Sequence, residues 1–144
     1  MARGGQRSGH RLRNGPTGNG QTTIRSFRDL VAWQKAMALA QQTYAATDAF
    51  PKAAQYGLCQ QLRRAVVSVP SNIAEGWGRG TKRDYLRFLH VARGSLYEVE
   101  TQLLLAGQLE YLRTEAGDAL LASVSECSRV LNGLIRNLAE GKTR

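Results

Sequence analysis

The sequence predicts an all-α protein, an antiparallel up-down four-helix bundle preceded by a disordered N-terminal tail. After residue 26, apolar residues recur at steps of three and four almost to the end of the chain, and no stretch alternates as a strand does. Short turns separate four such stretches, three of them more than twenty residues long. Long amphipathic helices with short connections pack as antiparallel neighbours, so we expect a single domain of this kind.

Length and charge limit the class of protein. The chain has 144 residues, enough for one core, and a net charge of +9 at pH 7. An excess of Lys and Arg favours a polyanionic partner, and nucleic acid comes before acidic lipid headgroups. Since no apolar stretch could span a bilayer and the N-terminus lacks the apolar segment of a secretory signal, we expect a cytoplasmic protein without a membrane partner.

Residues 1–26 form the predicted tail. They include six glycines and five arginines but no acid, with too little apolar surface to offset the entropy of ordering. The predicted bundle, residues 27–144, keeps 20 − 5 = 15 basic residues against 11 acidic ones, a charge of +4. The tail therefore either adds electrostatic contacts with RNA or acts only as a solubilising segment.

The first two helices are predicted over residues 27–47 and from Pro51 to residue 76. Ser26 is the expected N-cap of the first helix, whose inward stripe is Leu30, Trp33, Met37, Ala40 and Tyr44. The second helix turns inward Leu58, Leu62, Ala65, Val66, Val69 and Ile73. Pro70 deletes one backbone hydrogen bond within it, so we expect a continuous but bent helix, with Asn72 and Glu75 placed to satisfy nearby backbone groups.

Two threonines are predicted to cap the remaining helices. Thr81 begins the third helix, whose inward residues are Tyr85, Phe88, Leu89, Ala92, Leu96, Val99 and Leu103. Thr114 begins the fourth, with an inward stripe of Leu120, Val124, Cys127, Leu131, Leu134 and Leu138. Because Cys59 and Cys127 both occupy apolar helical positions, we expect buried, reduced thiols.

The segment "EGWGRGTKRDY" joins the second and third predicted helices. Its glycines, Gly76, Gly78 and Gly80, do not have the spacing of a phosphate-binding P-loop or of a dinucleotide turn, and they follow a helix rather than a strand. We expect them instead to allow left-handed backbone where the chain reverses. The segment is therefore predicted to be a turn, not a nucleotide site.

Basic residues crowd the same turn and the start of the third helix. The candidate nucleic-acid-binding residues are Arg79, Lys82, Arg83 and Arg87. Backbone N–H groups and the helix dipole favour an anion at a helix N-terminus, so these side chains could contact phosphates. The alternative is an ordinary solvated helix face.

Residue patterns typical of catalysis are missing from the sequence. His90 lacks the acid three positions earlier that a di-iron bundle uses, and Glu98 and Glu100 lie about 200° apart around a helix. We therefore expect no enzyme, no metal site and no cofactor.

A different pattern, Arg63 and Arg64 beside Val67, mixes basic and apolar character away from the core and predicts an oligomer interface.

Three segments carry a family resemblance: "FRDLVAWQKAMALA", "FPKAAQYGLCQQLRRAVVSVPSNIAEGWGRG" and "RFLHVARGSLYEVETQLLLAGQLEYL". Their order and spacing resemble the bacterial four-helix-bundle proteins encoded by intervening sequences in 23S ribosomal RNA genes, the S23 family. The accessory variability determinant of diversity-generating retroelements is in that family. The resemblance implies a ring-shaped homopentamer and, in the retroelement branch, a basic surface that binds RNA or DNA and a reverse transcriptase without catalysis.

Two functions remain open from the sequence. One is a non-enzymatic, oligomeric nucleic-acid-binding accessory protein, favoured by the basic excess and by the resemblance. The other is a purely structural homo-oligomeric bundle of a selfish element, favoured by the missing catalytic site.

Overall fold

The structure, a computed structural model, describes residues 23–141 as a four-helix bundle. The helices are α1 (Val31–Thr47), α2 (Leu58–Trp77), α3 (Lys82–Gln108) and α4 (Thr114–Ala139), and single 3-10 turns precede α1 and α2 at Phe27–Asp29 and Lys52–Ala54. Within the described range no residue is in a strand. Each helix packs against two others, α1 and α3 both lying between α2 and α4. The all-α four-helix prediction is confirmed.

The described chain begins just before the first 3-10 turn. Ser26 accepts a hydrogen bond from the Arg28 N–H on its Oγ at 3.0 Å, and the Asp29 carboxylate accepts from the Ser26 N–H at 3.2 Å, which completes a capping box. Ile24 packs against the core. Most of the predicted tail, residues 1–22, lies outside the described residues.

The inward face of α1 differs from the predicted stripe, of which only Leu30, just before the helix, is buried. The buried residues are Ala32, Ala36, Leu39, Thr43 and Thr47. Of the predicted set, Trp33, Met37 and Ala40 are only half-buried and Tyr44 is exposed. Small or apolar residues surround most of α1, so periodicity alone does not select one side. Packing selects the smaller residues, which let α1 lie close to its neighbours.

Helix α2 passes through Pro70 without interruption, which confirms the predicted continuous helix. Beside the proline, the Asn72 Nδ2 donates to the Ser68 carbonyl at 2.8 Å and to Ser68 Oγ at 3.0 Å. The Ser68 hydroxyl lies 2.8 Å from the hydroxyl of Ser95 on α3. The proline is therefore flanked by a polar link between α2 and α3.

The glycines in the last turn of α2 and in the turn after it do not adopt left-handed backbone, so that prediction was wrong. Gly78 has φ −77° and ψ −5°, and positive φ occurs, among the residues described, only at Glu110 and Gly141. Gly76 serves packing instead. A Cβ on Gly76 would lie 2.8 Å from the Cβ of Phe88 and 3.1 Å from Cδ1 of Tyr85. Its missing side chain allows α2 and α3 to approach closely where the chain reverses.

One of the two predicted threonine caps is confirmed. The Oγ1 of Thr81 accepts a hydrogen bond from the Asp84 N–H at 3.1 Å at the start of α3. Thr114 is instead the first residue of α4, and Arg113 occupies the N-cap without a side-chain hydrogen bond.

Both cysteines are buried free thiols, as predicted. Within residues 23–141, none of the helices is apolar over a length that could cross a bilayer.

Candidate nucleic-acid interface

Three helix ends meet at the end of the bundle where α2 reverses into α3. A cavity of about 210 Å³ lies there, lined by Arg79, Gly80, Thr81, Lys82, Tyr85, Leu138 and Gly141. The lining places the C-terminus of α4 beside the N-terminus of α3. Since α1 runs opposite to α2, the described chain also begins at this end. The segment preceding Thr23, which contains four arginines, is therefore attached here.

Two of the four candidate residues stack on one aromatic ring. The guanidinium carbons of Arg79 and Arg87 both lie 4.8 Å from the ring centroid of Phe88. Each also forms an ion pair with a nearby acid. Arg79, in the turn after α2, lies 3.2 Å from Glu75 of α2, and Arg87 lies 3.8 Å from Asp84 on α3. These two cations are held in position and partly neutralised.

The other two candidates, Lys82 and Arg83, have neither restraint. Both side chains are exposed in the first turn of α3, and neither forms an ion pair or side-chain hydrogen bond with another described residue. Helix α3 has 27 residues, and its first-turn N–H groups and dipole favour negative charge at the same point. Both cations are therefore available to an anionic partner.

Sequence reasoning missed one further basic residue at this end. Arg136 lies in the last turn of α4, is exposed, and forms no ion pair within residues 23–141. Its only signal in the sequence is a position near a helix C-terminus, where cations are common. We call the set of Arg79, Lys82, Arg83, Arg87 and Arg136 the basic end.

The predicted oligomer interface residues fall into two environments. Arg63 is directed at the C-terminus of α1, where it donates to the Tyr44 carbonyl at 3.2 Å and pairs with Asp48 at 3.0 Å. Arg64 and Val67 are exposed, Val67 to 42%. The structure therefore uses Arg63 inside the chain and leaves Arg64 and Val67 on the surface.

A metal centre is not formed by the residues described. Across residues 23–141, no group of three or more His, Cys, Asp or Glu side chains lies close enough to hold an ion. On α4, hydrogen bonds from Arg129 lower the pKa of the Glu126 carboxyl. That contact is an exposed ion pair on the bundle side, away from the basic end.

Comparison with solved structures supports the fold. A crystal structure of a protein of unknown function from the S23 ribosomal protein family of Bacteroides thetaiotaomicron superimposes with a TM-score of 0.69 at 20% sequence identity. The match covers 74% of this chain and 96% of that one. A comparison with curated proteins gives no match. The family model described as 23S rRNA-intervening sequence protein matches residues 28–133, most of the bundle, and the chain therefore belongs to that family.

Proposed function

We propose that the protein is a non-enzymatic, homo-oligomeric accessory protein that binds RNA or DNA through the basic end. The observation that carries the proposal is the pair of exposed, unpaired cations at the N-terminus of α3, Lys82 and Arg83. Arg79 and Arg87 flank them from fixed positions on the Phe88 ring. Such an arrangement suits the backbone phosphates of a nucleic acid, because its exposed side chains are cationic and the first-turn N–H groups of α3 also favour an anion.

Binding of this kind is expected to be independent of sequence. Phosphate contacts position a nucleic acid and carry no base information, and the three free cations in one subunit, Lys82, Arg83 and Arg136, give only weak affinity. A homo-oligomer repeats the basic end several times, and linked weak sites gain affinity through effective concentration. The five-subunit ring implied by the family resemblance would supply this multiplicity.

The bound nucleic acid is proposed to belong to the genetic element that encodes the protein. Family membership supports an intervening sequence of a 23S rRNA gene as that element. A retroelement is the second candidate, in which case a reverse transcriptase is the protein partner. Both settings place the protein in the cytoplasm.

Equilibrium binding of unrelated RNA and DNA oligonucleotides, measured by fluorescence anisotropy, tests the proposal. The double variant Lys82→Ala, Arg83→Ala should lose affinity about equally for all sequences. The matched control is Lys52→Ala, Arg113→Ala, which removes two exposed charges at the opposite end of the bundle and should retain most of the affinity. Equal losses in both variants would show that net charge alone matters. If the wild type binds nothing, the purely structural homo-oligomer is favoured.

A further inference from the structure

The groove between α2 and α3 contains two opposite charges that are unpaired in the single chain. Its volume is about 380 Å³, and it is lined by Gln61, Arg64, Ala65, Ser68, Glu98 and Gln102. Neither Arg64 nor Glu98 forms an ion pair or side-chain hydrogen bond with another described residue. The buried Oε1 of Gln102 likewise accepts no hydrogen bond from the residues described. Ser68 is hydrogen-bonded to Ser95 and Asn72, whereas Arg64, Glu98 and the Gln102 Oε1 are left without a partner among the described residues.

Apolar side chains adjoin the groove on the outward face of α3. Tyr97 is 56% exposed, Leu104 48%, Leu105 42%, and Leu109, just after the helix, 48%. At about 100° per residue, Tyr97, Leu104 and Leu105 lie within about 100° of one another around α3, on the exposed side of its C-terminal half. Single exposed apolar residues are common on protein surfaces, but a contiguous set beside unpaired charges is typical of an interaction surface.

Gly94 adds an independent feature to this surface. It lies in the interior of α3, where glycine disfavours the helix relative to alanine. A Cβ added to it would meet no atom within 4 Å, so packing inside the chain does not require a glycine. Glu98 and Tyr97 lie one turn further along the same helix. The missing side chain leaves room for another chain to approach α3 closely.

We infer that a second copy of this chain docks on this surface, and that Arg64 of one copy pairs with Glu98 of the other. We call the surface the α2–α3 face; its residues are Arg64, Gly94, Tyr97, Glu98, Leu104, Leu105 and Leu109. The inference rests on the proposed homo-oligomeric state and specifies where the subunits meet. The sequence placed Arg63 at the subunit interface; the inference instead places Arg64 and residues of α3 there.

Charge identifies a second copy as the occupant. With a net charge of +9, two copies repel one another except where the local charge is balanced. The α2–α3 face has one cation and one anion, so it attracts neither a nucleic acid nor a strongly acidic protein. Further copies offer the same apolar side chains, and in a ring each copy pairs its Arg64 with one neighbour and its Glu98 with the other, so both unpaired charges are completed.

Charge reversal with light scattering on the full chain tests the inference. Wild type should have a mass of two or more subunits of 15.8 kDa at micromolar concentration. Arg64→Glu and Glu98→Arg should each reduce the mass towards one subunit, and so should Leu105→Asn. The double variant R64E/E98R should restore the wild-type mass. Mixing the two single variants should raise the mass above one subunit, which a pair within one chain could not do.

The control is Asp118→Arg, an exposed residue of α4 outside the α2–α3 face, which should keep the wild-type mass. Circular dichroism establishes that each variant remains helical. Single variants that keep the full mass would overturn the α2–α3 face and leave the proposed function standing. Failure of both the double variant and the mixture to recover mass would overturn the Arg64–Glu98 pairing. A monomeric wild type would overturn the homo-oligomer itself.

Discussion

Arg63 of α2 donates its Nε–H to the Oγ1 of Thr47, the last residue of α1, at 2.8 Å. The Thr47 hydroxyl in turn donates to the Thr43 carbonyl at 2.9 Å, and the Arg63 guanidinium lies 4.6 Å from the ring centroid of Tyr44. The last turn of α1 leaves carbonyl groups without helical partners, and Arg63 supplies donors to this end. One side chain therefore connects the C-terminus of α1 to α2.

The first prediction concerns the stability of this connection. Arg63→Ala should lower the free energy of unfolding by about 1–3 kcal/mol, because it leaves the buried Thr47 Oγ1 without its donor and removes one of the two side-chain donors to the Tyr44 carbonyl. Asp48→Ala removes only an exposed ion-pair partner and should cost less than about 0.5 kcal/mol. Urea unfolding at fixed protein concentration measures both. Equal losses in the two variants would contradict the assigned role of Arg63.

A second prediction concerns the close approach of α2 and α3. Gly76→Ala should destabilise the protein by about 1–3 kcal/mol despite the better helix propensity of alanine, because the new methyl group would overlap Phe88. Gly117→Ala is the control, since a Cβ there would meet nothing within 4 Å. In thermal unfolding, Gly76→Ala should lower the midpoint temperature, whereas Gly117→Ala should raise it or leave it unchanged. A stabilised Gly76→Ala variant would show that the two helices separate at no cost.

Much of the fold was predictable because three helices separate apolar from charged residues. Along α3 the predicted inward residues are buried except Phe88, which is half-buried under the two guanidiniums. In α1 the same reasoning failed, since its outward positions are glutamines and alanines that do not contrast with the inward side. The roles of Gly76 and Arg63 depend on residues of another helix, and no local pattern reveals such contacts.

The candidate site was predictable only where its residues are close in the sequence. Arg79, Lys82, Arg83 and Arg87 lie within one turn and the first two turns of α3, so their clustering follows from local geometry. Arg136 joins them only because α4 returns antiparallel to α3. The sequence also does not reveal which of the cations are free, because that depends on the position of the Phe88 ring.

A third prediction concerns alkaline pH. Burial raises the pKa of the Cys127 thiol from its usual 9.0 to about 11. Between those values the unfolded chain loses the proton while the folded chain keeps it, so this contribution to stability is complete below pH 9 and falls as pH rises towards 11. Relative to Cys127→Ala, the wild type should lose about 1 kcal/mol between pH 8 and pH 10. Parallel pH profiles of the two proteins in urea unfolding would contradict a buried, protonated thiol.

The fourth prediction separates the tail from the bundle. Deleting residues 1–22 removes four arginines and no acid, so affinity for nucleic acid should fall. Binding should nevertheless remain measurable at low salt, because the basic end is intact. Anisotropy with the truncated chain, before and after adding Lys82→Ala and Arg83→Ala, provides the measurement. If truncation alone abolishes binding, the tail is the whole binding site and the bundle a scaffold.

The salt dependence of nucleic-acid binding tests the basic end most directly. For a duplex DNA, the logarithm of the affinity should fall steeply and linearly with the logarithm of salt concentration, by about 0.9 per phosphate contacted. Lys82→Ala and Arg83→Ala together should reduce that slope by about two for each subunit in contact with the DNA. Lys52→Ala and Arg113→Ala should leave it unchanged. A wild-type slope near zero, or a slope that Lys82→Ala and Arg83→Ala do not alter, would contradict phosphate binding at the basic end.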